Sequence, residues 1–544
     1  MSKGIVTPAD SYETCVANFR WPSDTRFNIA AAVCDRHALA TPNATAVIYD
    51  HAAGTQRLTF TQLQRAANRL ANTLTALGIV RGDRIAIHLP QCPDTAIAHV
   101  AIYKLGAIAL PLFSLFGPDA LAHRLGDSGA RVLITNRANL ERLATVREDL
   151  NQLEHVLCVD GPADGAADMG ELLARASERF ATLDTHVDDP ALLIYTSGTT
   201  GAPKGALHAH RALIGHLPGV EVPHQFFPQP GDCQWTPADW AWIGGLLDVM
   251  LPSLYHGMPV VAKRFERFDP EAALELMTRL EVRNVFMPPT ALRMLRQIDN
   301  PKRFGYALRS MASGGESLGE DMIAWGQEAF GLTIHEFYGQ TEVNLVIGNN
   351  SALFPVRPGS MGKPIPGHTV AVVDAQGQIC APNTEGVIAV KRPDPVMFLE
   401  YWNRPEATQD KFVGDWCLLG DLGHMDEDGY FWFKARDDDV ISSAGYRIGP
   451  TEVEECLMRH PGVALAGVIG IADALRGEVV KAYVVPTPGA ASDETAAKDL
   501  QQFVRDHLSA HEYPRAIRFI DEMPLTVTGK IRRMVLREKH AEES

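Results

Sequence analysis

Residues Ala191 to Gly205 read ALLIYTSGTTGAPKG. The apolar run Leu192 to Tyr195 predicts a buried strand. It leads into a loop containing Thr196, Ser197, Gly198, Thr199, Thr200, Gly201 and Lys204. Glycines let a backbone approach a ligand closely, and successive N–H groups can form an anion-binding nest. Four hydroxyls and one lysine add donors suited to phosphate oxygens. The loop is not a Walker A motif, because Pro203 precedes Lys204 and no Gly-Lys-Ser/Thr ending follows. A plain polar turn is the alternative reading, and it requires neither this length nor this density of donors.

Outward from this loop, helical and strand patterns alternate. Leu63, Ala66, Ala67, Leu70, Leu74 and Leu77 fall on one face of a helix over Thr61 to Leu77, with Gly78 as its C-cap. RIAIHL (Arg84 to Leu89) predicts a buried strand. PEAALELMTRL (Pro270 to Leu280) predicts a helix with proline in its first turn, NVFM (Asn284 to Met287) a strand, and TALRMLRQI (Thr290 to Ile298) a helix. This alternation implies an α/β fold with parallel-rich sheets covered by helices. GPADGAADMG (Gly161 to Gly170) reads as a surface loop. Near residue 436 the texture changes to a shorter α+β pattern: helix TEVEECLMRH, strands VALAGVIGI and VVKAYVV, helix AAKDLQQFVRDHL. We therefore expect a large multi-subdomain N-terminal domain over 1–436 and a small mobile C-terminal domain over 437–544.

A chain of 544 residues is too long for one core, which agrees with two domains. A formal net charge of −16 argues against broad nucleic-acid binding, but leaves room for a local site for small anions. The eight cysteines are scattered with no zinc spacing, so buried free thiols are expected. The stretch from Ile97 to Leu112 is interrupted by His99 and Lys104 and predicts a helix and a strand, not a membrane span. No signal-peptide core is present near Met1, and a cytoplasmic protein is expected.

The 191–205 loop resembles the phosphate loop of the adenylate-forming superfamily, which contains acyl-CoA synthetases, adenylation domains and luciferases. Further signatures follow in that family's order: SGGESL (Ser313 to Leu318), EFYGQTE (Glu336 to Glu342), LLGDLG (Leu418 to Gly423), KARDDD (Lys434 to Asp439), AGYRIGPTEVE (Ala444 to Glu454) and PLTVTGKIRR (Pro524 to Arg533). RIGPTEVEECLMRHPGV and RGEVVKAYVV read like the short- and medium-chain acyl-CoA synthetases. The resemblance implies the substrates ATP, Mg²⁺ and coenzyme A together with a small carboxylic acid. It also implies two half-reactions, acyl-adenylate formation with pyrophosphate release, then thioester formation with AMP release.

The resemblance further assigns residues. Gly315, Glu316, Ser317, Glu336, Phe337, Tyr338, Gly339 and Gln340 would border AMP, and Thr341 would contact the α-phosphate. Glu342 would hold magnesium, while Asp421 and Arg436 would bind the ribose hydroxyls. Lys530 would bridge the acid and ATP as a strong point charge. Asp438 matches the hinge, and Ala444, Gly445, Tyr446 and Arg447 the coenzyme A path, with Ala444 standing where the family has serine. A solvated basic face is the preferred reading of Arg532, Arg533, Arg537 and Lys539, with contact to coenzyme A phosphates the alternative.

For the acyl pocket, WTPADWAWIGGL supplies Trp240 and Trp242, and a core helix is the competing reading. Gly339 stands where acetate-selective relatives carry tryptophan, so a roomier pocket for short- to medium-chain or branched acids is expected, with aryl acids left open. Two other functions compete. One is an adenylation enzyme that loads a carrier protein, suggested by Asp239. The other is a non-catalytic nucleotide-binding homologue, which the joint presence of Thr341, Glu342, Asp421, Arg436 and Lys530 opposes.

Overall fold

A computed structural model describes residues 4–196, 203–316, 318–436, 439, 441–443, 446–473, 477–507, 512–526 and 529–543. The chain divides into two compact units. The first holds the chain up to Thr196 with Lys204–Thr369 and Lys391–Asp410, and the second holds Val370–Val390 and the chain from Lys411 onward. The strands Val370–Val373 and Gly386–Lys391 thus precede the change in texture at residue 436.

Among the described residues, two large sheets build the first unit. In the nine-stranded sheet, Ile334–Tyr338, Ser310–Gly314, Asn284–Phe286, Gln234–Trp235, Val260–Ala262 and Thr45–His51 run parallel in that spatial order. The flanking strands each pair antiparallel with their neighbour: Ile347–Gly348 and then Lys363–Pro364 on one side, Gly54–Thr59 on the other. The eight-stranded sheet centres on parallel Pro190–Tyr195, Ile108–Pro111, Arg84–His88, Val132–Thr135 and His155–Cys158. Its outermost strands are Glu400–Tyr401 and Ala167–Asp168. The expected surface loop is present over Gly161–Ala166 but ends there: Ala167 and Asp168 pair with Leu157 and Cys158, and Asp168 caps the helix Met169–Arg175 by accepting Glu171 N. Met169, buried, anchors that turn to the core.

The expected stripe does form a helix, Phe60–Ala76, which buries Leu63, Ala67, Leu70 and Leu74. Its start is fixed by a capping box: Thr59 Oγ1 accepts Gln62 N and Gln62 Oε1 accepts Thr59 N at 2.8 Å. At its end Leu77 is the cap, and Gly78 follows with φ 81°, a conformation that suits glycine. The Ile97 region is the buried helix Pro93–Lys104 followed by the strand Ile108–Pro111. Lys104 is buried there because Asp35 pairs with it at 2.5 Å. No described helix is long and apolar enough to cross a membrane. All eight cysteines are unpaired, and seven are buried.

The second unit contains an antiparallel group including Trp416–Met425 and Phe431–Arg436, and a second five-stranded sheet around Gly477–Pro486. Period-two alternation splits the residues of the latter strand between two cores. Val480, Ala482 and Val484 meet Val453, Leu457, Leu500 and Val504 from the helices Pro450–Met458 and Glu494–His507. Tyr483 instead joins Ile469, Ile520, Met523 and Leu536, the last from the helix Arg533–Glu543.

Candidate active site

The 196–204 loop joins two antiparallel strands, Pro190–Tyr195 and Gly205–Ala209, with Tyr195 opposite Gly205. Its neck is closed by Thr196 N donating to Lys204 O at 2.8 Å. Ser197, Gly198, Thr199, Thr200 and Gly201 lie outside the described residues, as do Ser317, Asp438, Ala444 and Gly445. Tyr446 and Arg447 belong to the strand Tyr446–Ile448, paired with Ile441–Ser443.

The two central motifs lie on neighbouring parallel strands. Ser313 is in register with Glu336 and Gly314 with Phe337, so the turns carrying Gly315–Glu316 and Gly339–Glu342 leave the same end of the sheet. Parallel sheets place ligand sites at such strand ends. Glu316 is held by Arg293 at 2.5 Å and by the Thr290 hydroxyl. Gln340 N bonds Val343 O and Val346 N bonds Tyr338 O, both at 3.0 Å, so Thr341 and Glu342 sit on a tight turn.

Glu342 is buried and accepts the Tyr401 hydroxyl. Lys204 Nζ lies 5.4 Å from the Tyr401 ring centroid, within cation–π range. Tyr401 therefore bridges the neck of the loop and the carboxylate, a role the sequence reading missed because LEYWNR carries no local signature. No group of three or more His, Cys, Asp or Glu that could hold a metal occurs among the described residues. Magnesium carried on a triphosphate needs only one or two protein carboxylates, so Glu342 is compatible with it.

Trp240 is fully buried in the main core, and its indole Nε1 has no partner among the described residues. Trp242 is only partly buried and begins an aromatic row: its ring is 5.6 Å from Phe286, which is 5.1 Å from Phe337. This row joins the tryptophan segment to EFYGQTE, and Phe286 is a second residue the sequence reading missed. Asp239 is occupied locally, accepting Ala241 N at 2.9 Å and the Ser114 hydroxyl at 3.2 Å, while burial raises its pKa. That geometry does not favour an amine-binding role.

The expectation that Gly339 leaves space is corrected. A Cβ on residue 339 would lie 2.3 Å from Leu345 N and 2.7 Å from Asn344 Cα. Glycine is required here because the loop's own backbone crosses its face.

In the second unit Asp421 and Arg436 are cross-strand partners, with Arg436 Nε 3.3 Å from Asp421 Oδ1. Lys530 is exposed at the end of a closed loop. Thr526 N donates to Lys530 O at 2.7 Å, Lys530 N donates to Thr526 Oγ1 at 3.0 Å, and Arg532 N donates to Pro524 O at 2.9 Å. Gly529 takes φ 91° within this loop. Arg533 departs from the solvated-face reading: its side chain is 16% exposed and pairs with Asp439 and Glu454.

The parallel sheets, the paired strand-end turns and the small C-terminal unit together define the adenylate-forming fold. The chain belongs to the AMP-binding enzyme family, whose model matches residues 34–402, and the family's C-terminal domain matches residues 452–530. It is 37% identical over 522 residues to the acetyl-coenzyme A synthetase of Bacillus subtilis (strain 168), covering 94% of this chain and 90% of that relative. It is 35% identical over 492 residues to the mitochondrial acyl-coenzyme A synthetase ACSM3 of Rattus norvegicus, covering 89% of this chain and 84% of that relative. Among solved structures, the anthranilate CoA ligase AuaEII in complex with anthranoyl-AMP is similar, with a TM-score of 0.87, 28% identity, and coverage of 96% of this chain and 99% of that one.

Proposed function

We propose that the protein is an ATP-dependent acyl-CoA synthetase acting on a short- to medium-chain or branched carboxylic acid. The observation that carries this reading is the Lys204–Tyr401–Glu342 connection at the strand ends of Ser313–Gly314 and Glu336–Phe337. It gathers a loop lysine, a buried carboxylate and two glycine-containing turns, the groups an adenylating site needs. The relatives' names support the coenzyme A branch.

A carboxylate attacking the α-phosphorus brings two anions together, so catalysis rests on fixed positive charge and oriented donors. The acid oxygen forms a bond to the α-phosphorus, and the bond to pyrophosphate breaks. Glu342 would hold magnesium, which would supply positive charge to offset the triphosphate. Thr341 and the 196–204 loop orient the α-phosphate, and Lys530 supplies positive charge between acid and nucleotide. Asp421 and Arg436 hold the ribose hydroxyls. The thiol of coenzyme A then attacks the acyl carbon, and AMP leaves. Trp242, Phe286 and Phe337 offer an apolar wall for the acyl chain. We place the domain boundary near Asp438, with the coenzyme A path along Ala444, Gly445, Tyr446 and Arg447, and a cytoplasmic location.

The test is Lys530→Ala with the half-reactions separated. ATP–pyrophosphate exchange should fall at least about 100-fold, as for loss of a transition-state charge contact. Thioester formation from supplied acyl-adenylate should survive. Normal exchange in a folded variant would remove Lys530 from the mechanism. A panel from acetate to octanoate, with benzoate, would fix the acid class by relative kcat/KM.

A further inference from the structure

Four charged side chains from three separate segments of the chain meet inside the second unit. Arg533 directs Nη1 to Asp439 Oδ2 at 3.0 Å and Nη2 to Glu454 Oε2 at 2.7 Å, with Nε 3.2 Å from Glu454 Oε1. Arg537, one helical turn on, bonds Asp439 Oδ1 at 2.9 Å. Glu454 also accepts Val468 N at 2.8 Å. The two acids are buried and the charges sum to zero, so the cluster is a matched set rather than a surface coincidence.

Its position gives it a use. Arg533 is the first residue after the loop that presents Lys530, and it opens the helix Arg533–Glu543. The other end of the loop leaves from Met523, buried beside Leu536 and Ile520. Asp439 in turn donates its N–H to Arg436 O at 3.1 Å, and Arg436 pairs with Asp421. A continuous path thus runs from Asp421 and Arg436 through Asp439 and Arg533 to Lys530. A guanidinium held bidentately has one orientation, unlike a single-contact lysine.

We propose that Arg533 is a positioning residue for adenylate formation: its fork onto Glu454 and Asp439 sets the register of the Lys530 loop against Asp439, whose N–H bonds Arg436 O. This rests on the role assigned above to Lys530. A rotation of the chain at the Asp438 position would then carry the lysine loop with Asp439 as one piece.

The experiment compares Arg533→Lys, which keeps the charge but loses the fork, with the double variant Glu454→Met/Arg533→Met, which fills the cluster with apolar side chains. Both are assayed for ATP–pyrophosphate exchange, for thioester formation from supplied acyl-adenylate, for Tm, and for amide hydrogen exchange in the 526–532 loop. Expected in both is a fall of about tenfold or more in exchange kcat, of the kind a misplaced group produces, with a smaller change in KM for ATP. The thioester step should stay near wild type, and the Gly529 and Lys530 amides should exchange faster. Unchanged loop amides with wild-type exchange kcat in either variant overturn the proposal. So does equal loss in both half-reactions, which marks a structural role alone. Lys530→Ala run alongside separates the two ideas: if it retains exchange activity, the lysine's role fails, while faster loop amides in the Arg533 variants still support the mechanical link.

Discussion

Residue 339 gives the sharpest test of the site's geometry. Carbon and nitrogen atoms in ordinary contact stand about 3.5 Å or more apart, yet a Cβ on residue 339 would face Leu345 N at 2.3 Å, Asn344 Cα at 2.7 Å and Asn344 C at 2.9 Å. All three are backbone atoms, so no side chain can swing aside, and the strand-end loop must retreat by on the order of 1 Å. Overpacking of this kind costs about 1–3 kcal/mol, or roughly 2–4 °C of Tm for each kcal/mol in a large domain. The same loop carries Thr341 and Glu342, and a displacement of about 1 Å at such groups can cost on the order of 100-fold in rate. Gly339→Ala should therefore lower ATP–pyrophosphate exchange by a similar factor for every acid from acetate to octanoate, with a reduced Tm. Gly339→Trp should be worse in both respects. A folded Gly339→Trp that works well on acetate and fails only on longer acids would refute this reasoning and put the side chain of residue 339 in the acyl pocket.

Acid stability offers a second test. Burial pushes His99, His208 and His224 down to about 3 and His88, His210, His216 and His335 to about 4. The unfolded chain binds those protons near pH 6.5, so stability is complete above that pH and falls as pH drops toward 4, by about 1.4 kcal/mol per pH unit for each histidine. The urea midpoint should fall steeply between pH 7 and 5.5, and His99→Gln should lessen the slope; a flat midpoint would contradict the burial. Thr59→Ala removes the capping box and should cost about 1 kcal/mol in urea unfolding with activity intact; an unchanged midpoint would show the cap to be dispensable. Asp438→Pro fixes φ at the proposed hinge and should slow thioester formation more than adenylation; equal loss in both would count against a hinge.

Local patterns in the sequence carried most of the elements. The stripe from Leu63 to Leu77 and the proline at 270 mark helices because a single face or a single cap decides each. The loop strand before Thr196 was legible for the same reason. Relations between distant segments were not. Tyr401 lies 59 residues from Glu342, and nothing in either segment announces the bond. Arg533 and Arg537 share a helical face, which hints at a common partner, but Asp439 lies 94 residues from Arg533. Gly339 was misread because a glycine in a motif can serve either a ligand or its own backbone, and only the position of Asn344 and Leu345 distinguishes them.

The outer strands of the two large sheets bear on how the protein behaves in a crowded solution. Lys363–Pro364, Glu400–Tyr401 and Ala167–Asp168 are two residues each, too short to template a foreign strand, and Pro364 has no N–H to offer. The longer margin, Gly54–Thr59, presents GTQR to solvent, where glycine weakens pairing and Arg57 opposes stacking against a like copy. The buried parallel strands, sticky if bared, are thus shielded from edge-to-edge polymerisation, so aggregation of this enzyme should require prior unfolding of a whole sheet rather than docking of native molecules.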